Sequence, residues 1–167
     1  MNVHELHFMT NHALLLSIRP QFASKIFDGT KTIELRRVRP RLKKGDLVLV
    51  YVSSPVKALL GAFEVDRVIA APVSQLWGKV KSKAGITAEE FHGYFSGADI
   101  GYGIVLKRKW KLDHPVKLES LRERKANFRP PQGYHYLTVG DATRIGAGTL
   151  VRDCGRNGHQ RPALLRK

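Results

Sequence analysis

Apolar positions along the chain follow two different periods, and each period predicts a different kind of element. The stretch from Ala13 to Ile18 is apolar at all but one position, which predicts a short buried strand. Pro20 at a first helical position and Gly29 just past the last one predict a helix from Pro20 to Asp28. From Thr32 to Arg36 the side chains alternate, so we expect this strand to present its two charged residues on one side.

Later parts of the chain continue this mixture of strands and helices. Between Val73 and Phe95 the pattern predicts two helices broken at 84–86, and Thr87-x-x-Glu90 forms a capping box at the start of the second. Strand patterns are also present at 47–52, 59–69, 101–112 and 134–139, and a short helical turn at 118–124. Five or six short strands with inserted helices predict an α+β fold, a small mixed and partly closed β-barrel.

The chain length of 167 residues suits one domain with a core of its own. We expect a flexible lead-in over 1–12, the folded domain over 13–139 and a basic, Gly- and Arg-containing tail over 140–167. One cysteine, Cys154, leaves no partner for an internal disulfide, and no apolar run approaches the ~18–20 residues that a membrane-spanning helix needs. The sequence therefore predicts a cytoplasmic protein without a membrane partner.

Charge sets this composition apart from that of an ordinary globular domain. The chain has 29 Lys and Arg residues against 14 Asp and Glu, a net charge of +15. A field of that sign attracts phosphates and speeds their capture, so a polyanion, RNA foremost, is the expected partner. The alternative is a generally basic protein with no role on nucleic acid.

The segment from Gly29 to Arg36 holds the most informative group of candidate binding residues. Lys31, Glu34 and Arg36 fall within six residues at the mouth of a predicted strand. Lysine can meet a phosphate as a point charge and arginine as a planar fork, while Glu34 can hold both or accept a hydrogen bond from a base. The alternative is an exposed ion pair on a strand, which contributes about 0–1 kcal/mol and has no function.

A dense basic run continues directly from this motif and suits a track of phosphate contacts. The alternative is a solvated hairpin loop. Farther along, Trp110 stands among cations as in single-strand stacking sites, although packing at the core or an edge is the favoured interpretation. The cations of the run after Arg36 are Arg37, Arg39, Arg41, Lys43 and Lys44.

These segments resemble a known family. Leu16 to Pro20, the helix after it and the pattern Gly-x-Lys-x-x-Glu-x-Arg at Gly29 to Arg36 are similar to the ASCH domain, a branch of the PUA-like superfamily. The resemblance spans about residues 14–138. Three further segments are similar to a subgroup described as transcriptional regulators with a PUA-like domain: Ser53 to Val56, Gly61 to Val65 and Arg129 to Leu137.

The resemblance implies a PUA-like β-barrel whose cleft is lined by Lys31, Glu34 and Arg36, with a role on RNA or on a modified nucleoside. It implies no cofactor. Ser53 and Ser54, on the turn after a strand, are further candidates for the cleft. The match to the subgroup's ending adds Gln132 and Tyr134 as candidate pocket residues.

An enzyme of the same fold is the rival hypothesis. Some ASCH-like proteins remove the acetyl group of acetylated cytidine with a lysine, a threonine nucleophile and a glutamate. Lys31 matches that lysine as a general base, with Glu34 as acid or orienting group, but Glu34 occupies the position of the threonine. Ser53 or Ser54 could replace the nucleophile, although serines before Pro55 are more often turn formers. A ribonuclease aided by a metal finds no carboxylate cluster, so no metal is predicted.

Two remaining classes follow from other features. A regulatory domain that senses a small nucleoside or nucleotide would use the same cleft. Sequence-specific DNA binding is disfavoured, because the second of the paired helices is acidic and aromatic and would be repelled by phosphate. The residues outside the barrel that could ligate a metal have no recognised zinc spacing; they are His4, His7, His12, Cys154 and His159.

Overall fold

A computed structural model describes residues 13–148 and residue 150. None of the helices within this part is long and apolar enough to cross a membrane. The strands are β1 (Ala13–Ile18), β2 (Ile33–Arg36), β3 (Leu47–Val52), β4 (Ala58–Pro72), β5 (Ile100–Lys117) and β6 (Tyr134–Leu137). The helices are α1 (Pro20–Asp28), α2 (Val73–Val80), α3 (Ala88–Tyr94), α4 (Leu118–Arg124) and α5 (Val139–Ala142), followed by a π-type turn at Thr143–Ala147.

All six strands form a single sheet in the order β2-β5-β4-β3-β1-β6. The neighbours are antiparallel except for β1 and β3, which run parallel. The predicted α+β fold is therefore confirmed, and the sheet itself is not closed by strand pairing. The outer edge of β2 is covered instead by the connection between α2 and α3, since Thr32 and Ile33 N–H groups both donate to the Lys83 carbonyl.

Side chains and one loop bridge the gap between the two ends of the sheet. The Tyr134 hydroxyl on β6 donates to the Arg39 carbonyl at 3.2 Å, and the Arg41 N–H donates to the Tyr136 hydroxyl at 2.7 Å. The loop of residues 37–46, which leaves β2, is thus attached to the opposite edge strand. Hydrogen bonds from a loop, rather than a sixth pairing of strands, complete the barrel-like form.

The core consists of three apolar clusters on the sheet. Helix α1 packs Ala23 and Ile26 against β1 and β3, and helices α2 and α3 pack against β2. Helix α4 and the C-terminal segment cover the remaining surface around Leu15 and Leu49. Strands β1 and β2 are therefore held by different helices: β1 by α1, and β2 by α2 and α3.

Most predicted elements are confirmed. The bounds of β1, α1, β3 and α4 agree with the prediction, and the capping box joins Thr87 and Glu90 through two hydrogen bonds. Strands β4 and β5 extend farther than predicted because irregularities in their pairing let the ladder continue past polar positions. β6 ends at Leu137, and Thr138 opens α5 as its N-cap.

The predicted boundary at Val139 is too early. Beyond it, α5 and the π-type turn fold back onto the core, and Ala142, Ile145, Ala147 and Leu150 are buried there. The lead-in over 1–12 and the remainder of the predicted tail lie outside the described residues, as do all the histidines and the cysteine considered for a metal site.

The close packing of β4 on β5 requires a glycine at position 61. A Cβ atom there would collide with the Trp110 carbonyl oxygen and lie 2.9 Å from the Phe27 ring. We expect Gly61→Ala to lower the free energy of unfolding by about 1–3 kcal/mol, because β5 or α1 must shift. Denaturant unfolding would measure this change.

Gly78 on α2 provides the matched control. A Cβ atom there meets nothing within 4 Å, so Gly78→Ala should raise the free energy of unfolding by about 0.5–1 kcal/mol through reduced backbone entropy. Equal effects of the two substitutions would contradict the packing constraint at Gly61.

Candidate functional site

A cleft of about 1040 Å³ lies where β2 approaches the end of β1. Its walls come from the N-terminal part of α1, the turn after β3, helix α3 and the loop before β6. The cleft therefore occupies the place where the open sheet is not completed by strands. Its lining includes Ser17, Arg19, Phe22, Lys31, Glu34, Arg36, Ser53, Ser54, Lys57, Glu90, Gly93, Tyr94 and Gln132.

Lys31, Glu34 and Arg36 form a continuous chain of charges in this cleft. Lys31 Nζ lies 3.2 Å from Glu34 Oε2, and Arg36 donates to Glu34 Oε1 at 2.8 Å. Lys31 is 2% exposed and Glu34 is 7% exposed. The interpretation as an exposed surface pair is therefore wrong. Because the pair is buried, loss of one partner would leave an uncompensated charge in the interior.

Lys31 anchors this chain of charges to the connection between α2 and α3. Its Nζ also donates to the Ala84 carbonyl at 2.7 Å and lies 5.6 Å above the centre of the Phe22 ring. Lys25 donates to the adjacent Gly85 carbonyl at 2.7 Å. Gly85 has a φ of +64°, and a Cβ there would lie 2.9 Å from Lys31. Two lysines thus fix the connection between α2 and α3, which positions α3 over the cleft.

Arg36 lines the cleft with a side chain that is 13% exposed. One of its terminal nitrogens donates both to Glu34 and, at 3.3 Å, to the Ser17 carbonyl on β1. Its Nε is buried and has no hydrogen-bond partner among the described residues. Because buried polar groups are normally paired, this N–H is a candidate donor to a ligand atom in the cleft.

Helix α3 contributes a wall that the sequence patterns did not single out. Glu90, Gly93 and Tyr94 are three and four positions apart, so they share the face that lines the cleft. The Tyr94 hydroxyl donates to the Leu35 carbonyl at 3.4 Å. Burial raises the pKa of Tyr94 above its ordinary value, against an opposing effect of the Arg36 guanidinium, so the hydroxyl stays neutral. This helix, considered in the sequence only as a DNA-binding element, therefore forms part of the cleft.

The turn after β3 and the loop before β6 bring three predicted residues into the cleft. Ser53 and Ser54 line it beside a cis peptide bond to Pro55. Gln132 lines it from a loop that Ser17 holds, since the Ser17 hydroxyl donates to the Pro131 carbonyl at 2.6 Å. These positions come together because Ser53 N–H also donates to the Ile18 carbonyl at the end of β1.

The other predicted residues lie outside the cleft lining. Tyr134 instead holds the loop of residues 37–46, and Trp110 packs against the core with Arg108 5.8 Å from its ring centre. This position agrees with packing at the core, the favoured interpretation of Trp110. The cations that follow Arg36 are exposed on the loop; they are Arg37, Arg39, Arg41, Lys43 and Lys44.

Within the described residues, no group of three or more His, Cys, Asp or Glu side chains could hold a metal ion. The chemistry available in the cleft is therefore that of hydrogen-bond donors, the hydroxyl groups of three serines and the carboxylates of Glu34 and Glu90.

Comparisons with known proteins agree with this architecture. The chain is 29% identical over 131 residues to the ASCH domain-containing ribonuclease of Zymomonas mobilis, an alignment covering 78% of this chain and 88% of that protein. A crystal structure of ASCH from Zymomonas mobilis has a TM-score of 0.75 at 27% identity and covers 80% of this chain and 92% of that one. The N-terminal domain of Thermococcus gammatolerans McrB, bound to m5C DNA, shares the fold with a TM-score of 0.54 at 11% identity, over 86% of this chain and 98% of that one.

The family model of the ASCH domain matches residues 16–122, which include Lys31, Glu34 and Arg36. The matches support the ASCH domain but not the narrower subgroup of transcriptional regulators. On this match, and on the likeness to the solved ASCH structures, the chain belongs to the ASCH domain family.

Proposed function

We propose that this ASCH domain binds single-stranded RNA, with one nucleotide in the cleft against Arg36 and flanking phosphates on the basic loop, residues 37–46. The observation that carries the proposal is the Arg36 guanidinium, which lines a cleft of about 1040 Å³ and whose Nε has no hydrogen-bond partner among the described residues. A cleft of this size suits a nucleotide, since small-ligand sites typically enclose about 300–1,000 Å³.

The charge distribution supports a nucleic acid rather than a neutral ligand. Among the described residues, no carboxylate pairs with Arg39, Arg41, Lys43 or Lys44. These side chains are exposed, and Arg37, which precedes them, directly follows Arg36 in the cleft. Free cations beside a cleft favour a ligand with phosphates on both sides of the bound nucleotide.

A single strand suits this geometry better than a duplex. A base reaches a concave cleft only when it is unstacked, and unpaired RNA offers such bases without breaking pairs. Glu89 and Glu90 on α3 place negative charge at one wall, which disfavours a duplex backbone on that side. The relative named as a ribonuclease supports RNA over DNA as the polymer.

Cleavage of RNA is the second candidate, and the relationship to the Zymomonas mobilis ribonuclease favours it. Cleavage by the ribose 2′-hydroxyl needs a group that takes its proton and donors that stabilise charge on the phosphate. Lys31 Nζ is engaged by Ala84 and Glu34, so its part would be to hold Glu34 and Arg36 rather than to act as the predicted base. Glu90 and Tyr94 are the titratable groups on the opposite wall.

Replacing Arg36 by lysine tests the cleft. Arg36→Lys keeps the positive charge but removes Nε and the planar fork, so we expect about ten- to hundredfold weaker RNA binding, as for loss of a hydrogen bond to a charged group. The salt dependence should stay unchanged because the charge is retained. Fluorescence anisotropy with a labelled single-stranded RNA at several salt concentrations would measure both quantities.

Arg122→Lys on α4, an exposed position outside the cleft, is the matched control and should bind as the native chain does. Thermal melting of both variants would separate lost binding from lost folding. Native affinity in Arg36→Lys with an intact fold would exclude Arg36 as a ligand contact.

Neutralising the basic loop tests the phosphate contacts. If Arg39, Arg41 and Lys43 each meet a phosphate, their joint replacement by glutamine should flatten the slope of log affinity against log salt by about two units, since each single-strand contact contributes about 0.7. Replacing Lys79, Lys81 and Lys83 on and after α2 changes the charge equally and should leave the slope unaltered. Equal slopes for the two triple variants would refute the loop as a phosphate track.

Lys31→Met distinguishes binding from cleavage. If the native chain cleaves RNA, the Lys31→Met substitution should abolish product formation because Glu34 and Arg36 lose their anchor. RNA binding should weaken only in part. Gel electrophoresis of an RNA pool before and after incubation, with anisotropy on the same samples, would measure both. Absence of product from the native chain would leave RNA binding as the function and reject the second candidate.

A further inference from the structure

The two tyrosines of β6 hold the basic loop, residues 37–46, in place. Tyr134 and Tyr136 are two positions apart on one strand, so their side chains lie on the same face. Their rings meet edge to face, with centres 6.0 Å apart at 80°. Both hydroxyls are used to hold the basic loop, one at the Arg39 carbonyl and one at the Arg41 N–H.

The loop has an alternating pattern over its central residues. Pro40 is buried and Leu42 is half-buried against the core cluster of α1, β1 and β3. Arg39, Arg41 and Lys43, which alternate with them, are exposed. The apolar residues and the tyrosine hydroxyls therefore hold the backbone while every second side chain is a cation directed to solvent.

Tyr136 adds an exposed aromatic surface to these cations. The residue is 40% exposed although its hydroxyl is engaged, which leaves ring surface accessible. Its bond to the Arg41 N–H places the backbone of Arg41 beside Tyr136, and the Arg41 side chain is exposed. Aromatic rings among cations bind single strands by stacking bases and contacting phosphates at once.

This surface is continuous with the cleft on both sides. The loop begins immediately after Arg36, and β6 begins immediately after Gly133, and both Arg36 and Gly133 line the cleft. A bound RNA that leaves the cleft near Arg36 would therefore meet Tyr136 and Arg41 next.

We propose that Tyr136, Arg39 and Arg41 form a second nucleotide subsite for single-stranded RNA, in which a base stacks on the Tyr136 ring and a phosphate contacts the two arginines. The inference rests on the proposed function, because the subsite extends the polymer that the cleft binds. The competing explanation is that both tyrosines only brace the loop.

A pair of substitutions separates these explanations. Tyr136→Phe removes the hydroxyl and keeps the ring, whereas Tyr136→Leu removes both. We expect Tyr136→Leu to bind a short labelled oligonucleotide about tenfold more weakly, in line with the loss of one stacked base, and Tyr136→Phe to keep most of the affinity. Binding of the four ribonucleoside monophosphates should be unchanged in both variants, because a single nucleotide occupies the cleft alone.

The outcomes are distinct. Equal losses in the two variants would mean that Tyr136 only braces the loop and would overturn the subsite, as would native oligonucleotide affinity in Tyr136→Leu. If Tyr136→Leu does not fold, Arg41→Gln takes its place, since only the backbone of Arg41 is bonded to the tyrosine; it should weaken oligonucleotide binding and spare the monophosphates.

The same measurements on Arg36→Lys distinguish this inference from the proposed function. Weaker binding of both oligonucleotide and monophosphate in that variant supports the cleft independently of Tyr136. An effect of Tyr136→Leu without any effect of Arg36→Lys would retain the outer subsite and reject the cleft, and an oligonucleotide that does not bind the native chain would overturn both.

Discussion

One buried carboxylate holds the site together. Glu34 lies between the cations of Lys31 and Arg36, and each cation carries the connection onward to a different part of the fold. Lys31 reaches the Ala84 carbonyl before α3, and Arg36 reaches the Ser17 carbonyl on β1. Since removal of one partner from a buried ion pair typically costs about 3–5 kcal/mol, this chain of charges resists rearrangement. The open side of the sheet therefore becomes a cleft of fixed shape rather than a gap.

The same arrangement explains why the net charge of +15 overstates the surface available to RNA. Many cations have structural partners: Lys25 holds the Gly85 carbonyl, and Lys107 and Arg108 surround the buried carboxylate of Glu64. Arg39, Arg41, Lys43 and Lys44 of the basic loop differ, because the tyrosines hold the loop through its backbone and not through these charges. The loop is anchored by means other than its charges, which is the condition for a preformed phosphate surface.

Elements governed by local chemistry were predictable, and contacts distant in sequence were not. Pro20 and Gly29 bracket α1, and the Thr87 capping box opens α3, because each depends on neighbouring residues alone. The burial of Lys31 depends on Ala84, 53 positions away, which no periodicity reveals. The segment after Val139 was harder to predict: its glycines and arginines suggested a tail, whereas its apolar residues Ala142, Ile145, Ala147 and Leu150 are buried in the core.

Stability and binding are connected through the unpartnered donor of Arg36. A buried N–H without an acceptor costs about 1–3 kcal/mol, so the unliganded fold keeps this group unsatisfied at the expense of stability. An acceptor on a ligand would satisfy it once the groups that cover Nε are displaced, while Glu34 and Ser17 hold the guanidinium in place. The free energy of that hydrogen bond then contributes to affinity rather than to ordering the side chain. A cleft built in this way favours ligands with a hydrogen-bond acceptor at one position, and the chain of buried charges behind it sets where that position lies.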